Sequence, residues 1–130
     1  AMYRQQENTY WVGDISTFAK YKFIGENTAR ADLSPLNPPP GYRPIPKNGY
    51  YFYALKEYEK DDLTTEKYHD GSGKNPSRFG FAAVPANYPT SGRYAFIINE
   101  EGIVYMKDNY GQHPQRFPSD PITDGWMPVQ

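Results

Sequence analysis

The residue types of a hydrolytic triad occur together at one place in this sequence. His69 and Asp70 precede Ser72 in a glycine-containing stretch, so a base, an acid and a hydroxyl are close along the chain. Catalysis requires such groups to converge on a pocket and to be held rigidly, and neighbours in a Gly-rich loop do neither. The chain has no G-x-S-x-G motif and only one other histidine, His113. We therefore predict a solvated loop tip here and no enzymatic activity.

Four acidic residues in the same region offer hard oxygen ligands for a calcium ion. Gly71 is available for the turn, and the acids lie within ten residues: Asp61, Asp62, Glu66 and Asp70. Their spacing does not match an EF-hand loop, which has ligands at alternate positions and a bidentate Glu at the twelfth. Calcium is a candidate cofactor, and a charged, solvated loop without metal is the alternative that we favour. A second, weaker set of acids lies in the tail: Asp108, Asp120 and Asp124.

Consecutive aromatic residues at positions 50–53 suggest a surface for binding ligands. Tyrosine stacks on sugars or partner side chains at low entropic cost and carries a polar tip. In a strand, alternation places Tyr51 and Tyr53 on one face and Tyr50 and Phe52 on the other. One face must pack against the body of the protein, and the other is a binding surface if it stays open. Tyr51 and Tyr53 are the candidate ligand-binding residues; the alternative is that loops and the tail cover the remaining face.

Aromatic residues outnumber branched aliphatic residues in this chain of 130 residues. It contains 13 Tyr, 7 Phe and 2 Trp against 15 Ile, Leu and Val. The length predicts one domain over residues 1–130, which excludes multidomain enzymes. The formal net charge is only −1. The aromatic side chains therefore supply the apolar area that a globular core needs, and disorder is not expected.

Charge and cysteine content narrow the classes of function. Fourteen Lys and Arg against 15 Asp and Glu, without clustering, leave no basic surface for nucleic acid. The absence of cysteine excludes disulfides and cysteine zinc sites, but it does not fix the compartment. No apolar run approaches the roughly 18 residues of a membrane helix. Ala1 before Met2 is not a natural translation start, so we expect that a signal or membrane anchor has been removed.

The N-terminal segment, residues 1–34, has mostly helical periodicity. Apolar residues recur on one side from Tyr10 to Ala31, and Asp14 or Ser16 can cap the start of a helix. Ser34 precedes a proline, which stops any continuation. Residues 35–48 contain six prolines. They predict a stiff crossover along the surface, which we favour over a ligand for proline-binding modules.

Residues 49–108 have the pattern of an antiparallel sheet. Strands are predicted over 49–55 and 79–84, and a hairpin joins 93–99 to 103–107 through a turn at Gly102. The polar residues 56–78 predict a long excursion from the sheet. Residues 109–130 predict an irregular tail anchored by Phe117, Ile122, Trp126 and Val129.

The expected fold class is therefore α+β. An N-terminal helix packs on an antiparallel sheet of about four strands, with long irregular loops and a C-terminal tail. Connections of hairpin length favour antiparallel pairing, because parallel neighbours need a crossover of a dozen residues or more.

Several segments resemble a bacterial family, the domain-of-unknown-function family 2950. Residues 80–92 are similar to a family stretch that begins GFA and ends PA-x-Y-x-x-SG, and residues 96–108 to TF-x-VN-x-DG-x-VY-x-KD. Residues 49–55 resemble GYYYRxL, and Asp120, Trp126, Pro128 and Val129 resemble its terminal FDPDxxWxPV. The resemblance covers residues 49–129 well and brings no catalytic residues with it.

The expected architecture is also similar to the globular heads of type IV pilin-like proteins and pseudopilins. Such proteins can begin with a hydrophobic anchor helix, and pseudopilin heads often hold calcium in a loop near the sheet. We predict a non-enzymatic domain of the cell envelope, periplasmic or extracellular, that acts in protein–protein interaction or self-assembly. It contacts a membrane only through the removed anchor and does not bind nucleic acid. The alternative is a small-molecule or glycan-binding module that uses Tyr51 and Tyr53; fold-level likeness alone cannot decide between them.

Overall fold

The computed structural model describes residues 10–11, 13–15 and 30–129. Ten short strands form the regular structure of this part of the chain. They are β1 (Tyr10–Trp11), β2 (Tyr50–Ala54), β3 (Glu57–Glu59), β4 (Thr65–Lys67), β5 (Lys74–Asn75), β6 (Gly80–Pro85), β7 (Ala95–Asn99), β8 (Tyr105–Lys107), β9 (Arg116–Phe117) and β10 (Met127–Pro128).

A five-stranded antiparallel sheet forms the centre of the molecule, with strand order β10-β8-β7-β6-β2. The predicted strands and hairpin account for four of these five strands. In the turn between β7 and β8, Gly102 has φ of +80° and its N–H donates to the Asn99 carbonyl oxygen at 2.9 Å. A side chain at that φ is strained, so glycine at this position sets the hairpin.

The predicted fold class is wrong, because the described part of the chain is almost entirely sheet and loop. Of the described residues, only Ile15 and Arg30 are helical. Most of the predicted N-terminal helix, residue 12 and residues 16–29, lies outside the described residues. Tyr10 and Trp11, at its predicted start, instead form β1 and pair with β5. Within the described ranges no helix is long and apolar enough to cross a membrane.

The outer edge of β2 is covered by residues 31–33. Phe52 donates its N–H to Ala31 O at 2.9 Å and accepts from the N–H of Leu33 at 2.8 Å. Between them, the carboxylate of fully buried Asp32 accepts backbone N–H groups from Ile15 at 3.0 Å and Ser34 at 2.9 Å. Buried carboxylates need such partners. Residues 35–48 then cross back without helix or strand, as their prolines predict.

The polar excursion and the tail are more regular than predicted. Residues 56–78 contain β3, β4 and β5, and the tail contains β9 and β10. β9 pairs in parallel with β3, and β10 pairs with β8. Phe117 and Trp126 are buried anchors, whereas Ile122 and Val129 are 58% and 43% exposed, so those two predicted anchors are wrong. The tail partners lie far away in sequence, where local patterns carry no signal.

Candidate functional site

The two faces of the five-stranded sheet have different surroundings. The face that carries Tyr53, Ala82, Ile97 and Tyr105 is buried and is called the inner face. The tail covers it: the ring of Tyr105 packs on Phe117 with centroids 6.3 Å apart, and the Tyr53 hydroxyl donates to Pro114 O at 2.7 Å. The inner face is therefore part of the core.

The opposite face leaves two rows of apolar side chains partly open to solvent. Phe96, Met106 and Met127 lie in register across β7, β8 and β10. The adjacent row contains Ile98, Val104 and Val129, and Val129 donates its N–H to Val104 O at 2.8 Å. None of these six side chains is buried. They form one uncharged surface, called the outer patch, of the kind that marks interaction sites.

A cleft lies at the β2 edge of the inner face and is called the Tyr53 cleft. Its volume is about 320 Å³, and its walls combine apolar and polar side chains. The His113 ring lies 6.0 Å from the Tyr53 ring between centroids. The described lining residues are Leu33, Ser34, Tyr53, Ala54, Leu55, Lys56, His113 and Gln115.

Two hydroxyl groups belong to residues that line the Tyr53 cleft. Burial raises the pKa of Tyr53, so its hydroxyl stays protonated and donates to Pro114 O. The Ser34 Oγ is enclosed and has no hydrogen-bond partner among the described residues. An enclosed, unpaired hydroxyl costs on the order of 1–3 kcal/mol.

The structure does not make an open surface of the two predicted ligand-binding tyrosines. Tyr53 is buried on the inner face and contributes to the cleft, whereas Tyr51 is half-buried and is not among its described lining residues. Ser34 and His113 were missed as site residues. They meet because residues 31–34 pair with β2 and the tail crosses the inner face, and neither contact has a local sequence signal.

The four predicted calcium ligands are not grouped into one site. Two of them accept hydrogen bonds from other side chains, and two line separate depressions. The Asp62 carboxylate accepts from the Thr64 N–H at 3.0 Å and hydroxyl at 2.6 Å, which lowers the pKa of Asp62. Glu66 accepts from the Tyr58 hydroxyl, while Asp61 and Asp70 line two different depressions. In the described part of the chain, no three potential ligands are grouped as a metal site would need. Calcium at these positions stays a prediction.

The tail acids are engaged separately. Asp108 accepts from the Tyr88 hydroxyl at 2.8 Å, and this bond holds the pKa of Asp108 below its ordinary value. Asp120 accepts from the Thr123 hydroxyl at 2.8 Å, and Asp124 from Trp126 Nε1 at 3.1 Å. Asp120 and Asp124 each bond within their own turn, whereas Asp108 links the tail to the distant Tyr88.

His69 organises its loop. Its Nδ1 accepts the N–H groups of Gly71 at 3.0 Å and Gly73 at 3.1 Å, so this nitrogen is unprotonated. Burial and the nearby charge of Lys56 lower the pKa of His69. Ser72 Oγ accepts from the Lys74 N–H at 3.2 Å. His69 and Ser72 of the apparent triad thus bond to backbone in the loop.

A second cleft, called the Tyr68 cleft, lies between the small sheet β4-β3-β9 and the β7–β8 turn. Its volume is about 420 Å³. The rings of Tyr58 and Tyr68 pack with centroids 5.0 Å apart, and the Arg78 guanidinium lies 4.6 Å from the Tyr58 centroid. Arg78 also pairs with Glu100 at 3.6 Å. Of the predicted site residues, Asp61 lines this cleft; Tyr58 and Tyr68 were missed because they lie in the polar excursion.

Comparison with protein families identifies the chain. The family model described as Protein of unknown function (DUF2950) matches residues 4–120. The chain belongs to the DUF2950 family. The resemblance of this sequence to the DUF2950 family is thereby confirmed. The match extends further towards the N-terminus than residues 49–129. No curated protein and no solved structure matches this DUF2950 chain significantly, and the likeness to pilin-like heads gains no support.

Proposed function

We propose that this DUF2950 domain is a non-enzymatic interaction domain of the cell envelope that self-associates through the outer patch. The supporting observation is the composition of that surface: six neighbouring side chains on three strands are all apolar, and none is buried. Two of them, Met127 and Val129, are 55% and 43% exposed. Burying them against a partner removes apolar area from water, which favours association.

A second copy of the chain is the partner that this surface fits. The outer patch carries no charge, and the formal net charge of −1 gives little repulsion between copies. Apolar sheet faces pack against each other about 10 Å apart, and a two-fold axis lets the same patch serve both copies. A patch of two rows on three strands is smaller than the roughly 800 Å² per partner of stable interfaces, so association is weak and depends on concentration.

Sedimentation of the wild type and two glutamate variants tests the proposal. Met127→Glu places a charge in the patch, and Ile45→Glu is a matched control because Ile45 is 57% exposed elsewhere. At protein concentrations up to about 1 mM, we expect the wild type and Ile45→Glu to self-associate and Met127→Glu to stay monomeric. A strictly monomeric wild type, or equal association of Met127→Glu, would contradict the proposal.

The envelope location is a separate part of the proposal. It is tested by fractionating cells that produce the native protein from its own gene. We expect recovery in the periplasmic, membrane-associated or secreted fraction, and recovery in the cytosol alone would contradict this location.

A small-molecule or glycan-binding module is the second candidate function. The Tyr53 cleft favours it, because a cavity of about 320 Å³ combines apolar walls with the exposed polar side chains of His113 and Gln115. A glycan array tests it with His113→Ala, which removes an exposed polar ring from the lining, and with Tyr51→Ala as the control outside the described lining. We expect binding that His113→Ala weakens and Tyr51→Ala leaves intact. No binding above background rejects this candidate.

A further inference from the structure

The Tyr68 cleft has an excess of negative charge. Four carboxylates line it against two cationic side chains: Glu59, Asp61, Glu100 and Glu101 against Lys60 and Arg78. Arg78 already has two partners, because it forms an ion pair with Glu100 at 3.6 Å and lies over the Tyr58 ring. Asp61 and Glu101 are exposed and form no ion pair within residues 30–129. The cleft therefore has unpaired carboxylates to offer a cation.

A buried tyrosine provides an independent polar group in the same cleft. Tyr68 is 2% exposed, yet its hydroxyl has no hydrogen-bond partner in the described part of the chain. Buried tyrosine hydroxyls usually find a partner. The hydroxyl oxygen is not enclosed as Ser34 Oγ is. Since Tyr68 lines the cleft, the oxygen meets solvent there.

Gly80 holds the Tyr68 hydroxyl at this position. A Cβ on Gly80 would lie 2.6 Å from the hydroxyl oxygen and 2.9 Å from the ring carbon that bears it. Only glycine permits such close approach of a ring to the strand. Gly80 pairs across the sheet with Asn99, which lines the cleft beside Glu100. The tyrosine is thus fixed with its polar end beside the carboxylate-lined wall.

We propose that the Tyr68 cleft binds a small organic cation with a primary ammonium group. The ammonium has three N–H donors and a positive charge. It donates to the hydroxyl oxygen of Tyr68, and the unpaired carboxylates of Asp61 and Glu101 in the lining of the same cleft supply the opposing charge. This site is separate from the outer patch and from the Tyr53 cleft. Cation binding there does not depend on whether the chain self-associates.

Three probes of equal carbon number separate charge from shape. They are 1,4-diaminobutane, 1,4-butanediol and succinate, which are cationic, neutral and anionic. We expect 1,4-diaminobutane alone to shift the backbone amide NMR signals of residues 99–101 and 68 in a saturable titration at low salt. Equal shifts with butanediol or succinate, or none with any probe, would overturn the proposal.

Two variants then assign the contacts. Tyr68→Phe keeps the ring and removes the hydroxyl, so we expect the dissociation constant for 1,4-diaminobutane to rise about tenfold. Tyr53→Phe, in the other cleft, is the control and leaves it unchanged. If Tyr68→Phe does not fold, Glu101→Gln at an exposed position is the deciding variant. We expect it to raise the dissociation constant about threefold. Unchanged affinity in the deciding variant would show that general surface charge holds the cation and would refute the site.

Discussion

The inner and outer faces of the five-stranded sheet are built from the same strands, yet the inner face is core, whereas the outer face stays partly open to solvent on β7, β8 and β10. On β7, Ile97 is almost completely buried, whereas its neighbours Phe96 and Ile98 on the other side are only half-buried. All three side chains are apolar, so the difference does not come from residue type. It comes from the tail, which crosses the inner face and places Phe117 and Trp126 against it.

This comparison shows that apolar composition and burial are separate properties of a sheet face. A strand that is apolar on both sides is usually covered on both sides. Here the outer side keeps apolar area that is partly exposed to solvent, and burying that area favours association through the outer patch. The comparison also predicts that neighbouring substitutions on one strand differ strongly in their effect on stability.

The largest difference is expected at the start of β10. Trp126→Ala removes a buried indole from the inner side and should lower the free energy of unfolding by about 4 kcal/mol. Met127→Ala changes an exposed side chain and should lower it by about 0.5 kcal/mol. Urea unfolding followed by fluorescence or circular dichroism measures both. Similar losses for the two variants would show that the tail does not distinguish the faces.

A smaller difference is expected at the centre of the sheet. Ile97→Ala leaves a cavity in the core and should cost about 3 kcal/mol. Ile98→Ala, half-buried on the outer face, should cost about 1 kcal/mol. The two variants delete the same atoms, so each is the other's control in chemical denaturation. A loss for Ile98→Ala as large as that for Ile97→Ala would mean that the outer face is covered in solution.

The tyrosines of β2 test polar contacts on the inner face. Tyr53→Phe leaves Pro114 O without its hydroxyl donor and should cost about 1–2 kcal/mol. Tyr51→Phe removes a half-buried hydroxyl that makes no hydrogen bond in the described structure, and its effect should stay within about 0.5 kcal/mol. Thermal unfolding of both variants measures the difference. A reversed order would contradict the contact between β2 and the tail.

The smallest effect is expected from a change of pH. Apolar packing on the sheet faces does not titrate, whereas the His69 side chain in its loop does. Neutral His69 accepts two backbone N–H groups, and its pKa is lowered from 6.5. The loop contacts are therefore complete at neutral pH and are lost as pH falls below 6.5 through the lowered pKa. Hydrogen exchange at Gly71 and Gly73, corrected for intrinsic rates, should accelerate between pH 7.5 and 5. Exchange that His69→Gln leaves pH-dependent would assign the change to another group.

Much of the central sheet could be predicted from local patterns. The aromatic run at 50–54, the apolar segment at 80–85 and the hairpin with Gly102 all carry signals of β-structure within a few residues. The helix predicted from periodicity gave the wrong fold class, because Tyr10 and Trp11 pair with β5, more than sixty residues away. The short strands β3 and β4 lie in a polar stretch, where alternation is too brief to detect.

The candidate site could be predicted only in part. Tyr53 was identified from its residue type and strand position, but its inward orientation was not. Ser34, His113 and Tyr68 carry no signal of their own, since each becomes important through a distant partner: β2, the inner face or Gly80. The acidic residues at 61–70 were recognised as a charged group, and the structure separates them among loop, strand and cleft.

Local sequence patterns set the strand-forming segments, the glycine turn of the hairpin, the proline-rich crossover and the motifs of the family. These features depend on backbone preferences and on motifs that act over a few residues. Which side of β7 is buried and which residues line the clefts depend on the packed fold. β7 is apolar on both faces, so its burial follows from where the tail packs, and the tail is joined to β2 by a hydrogen bond between Tyr53 and Pro114, 61 residues apart.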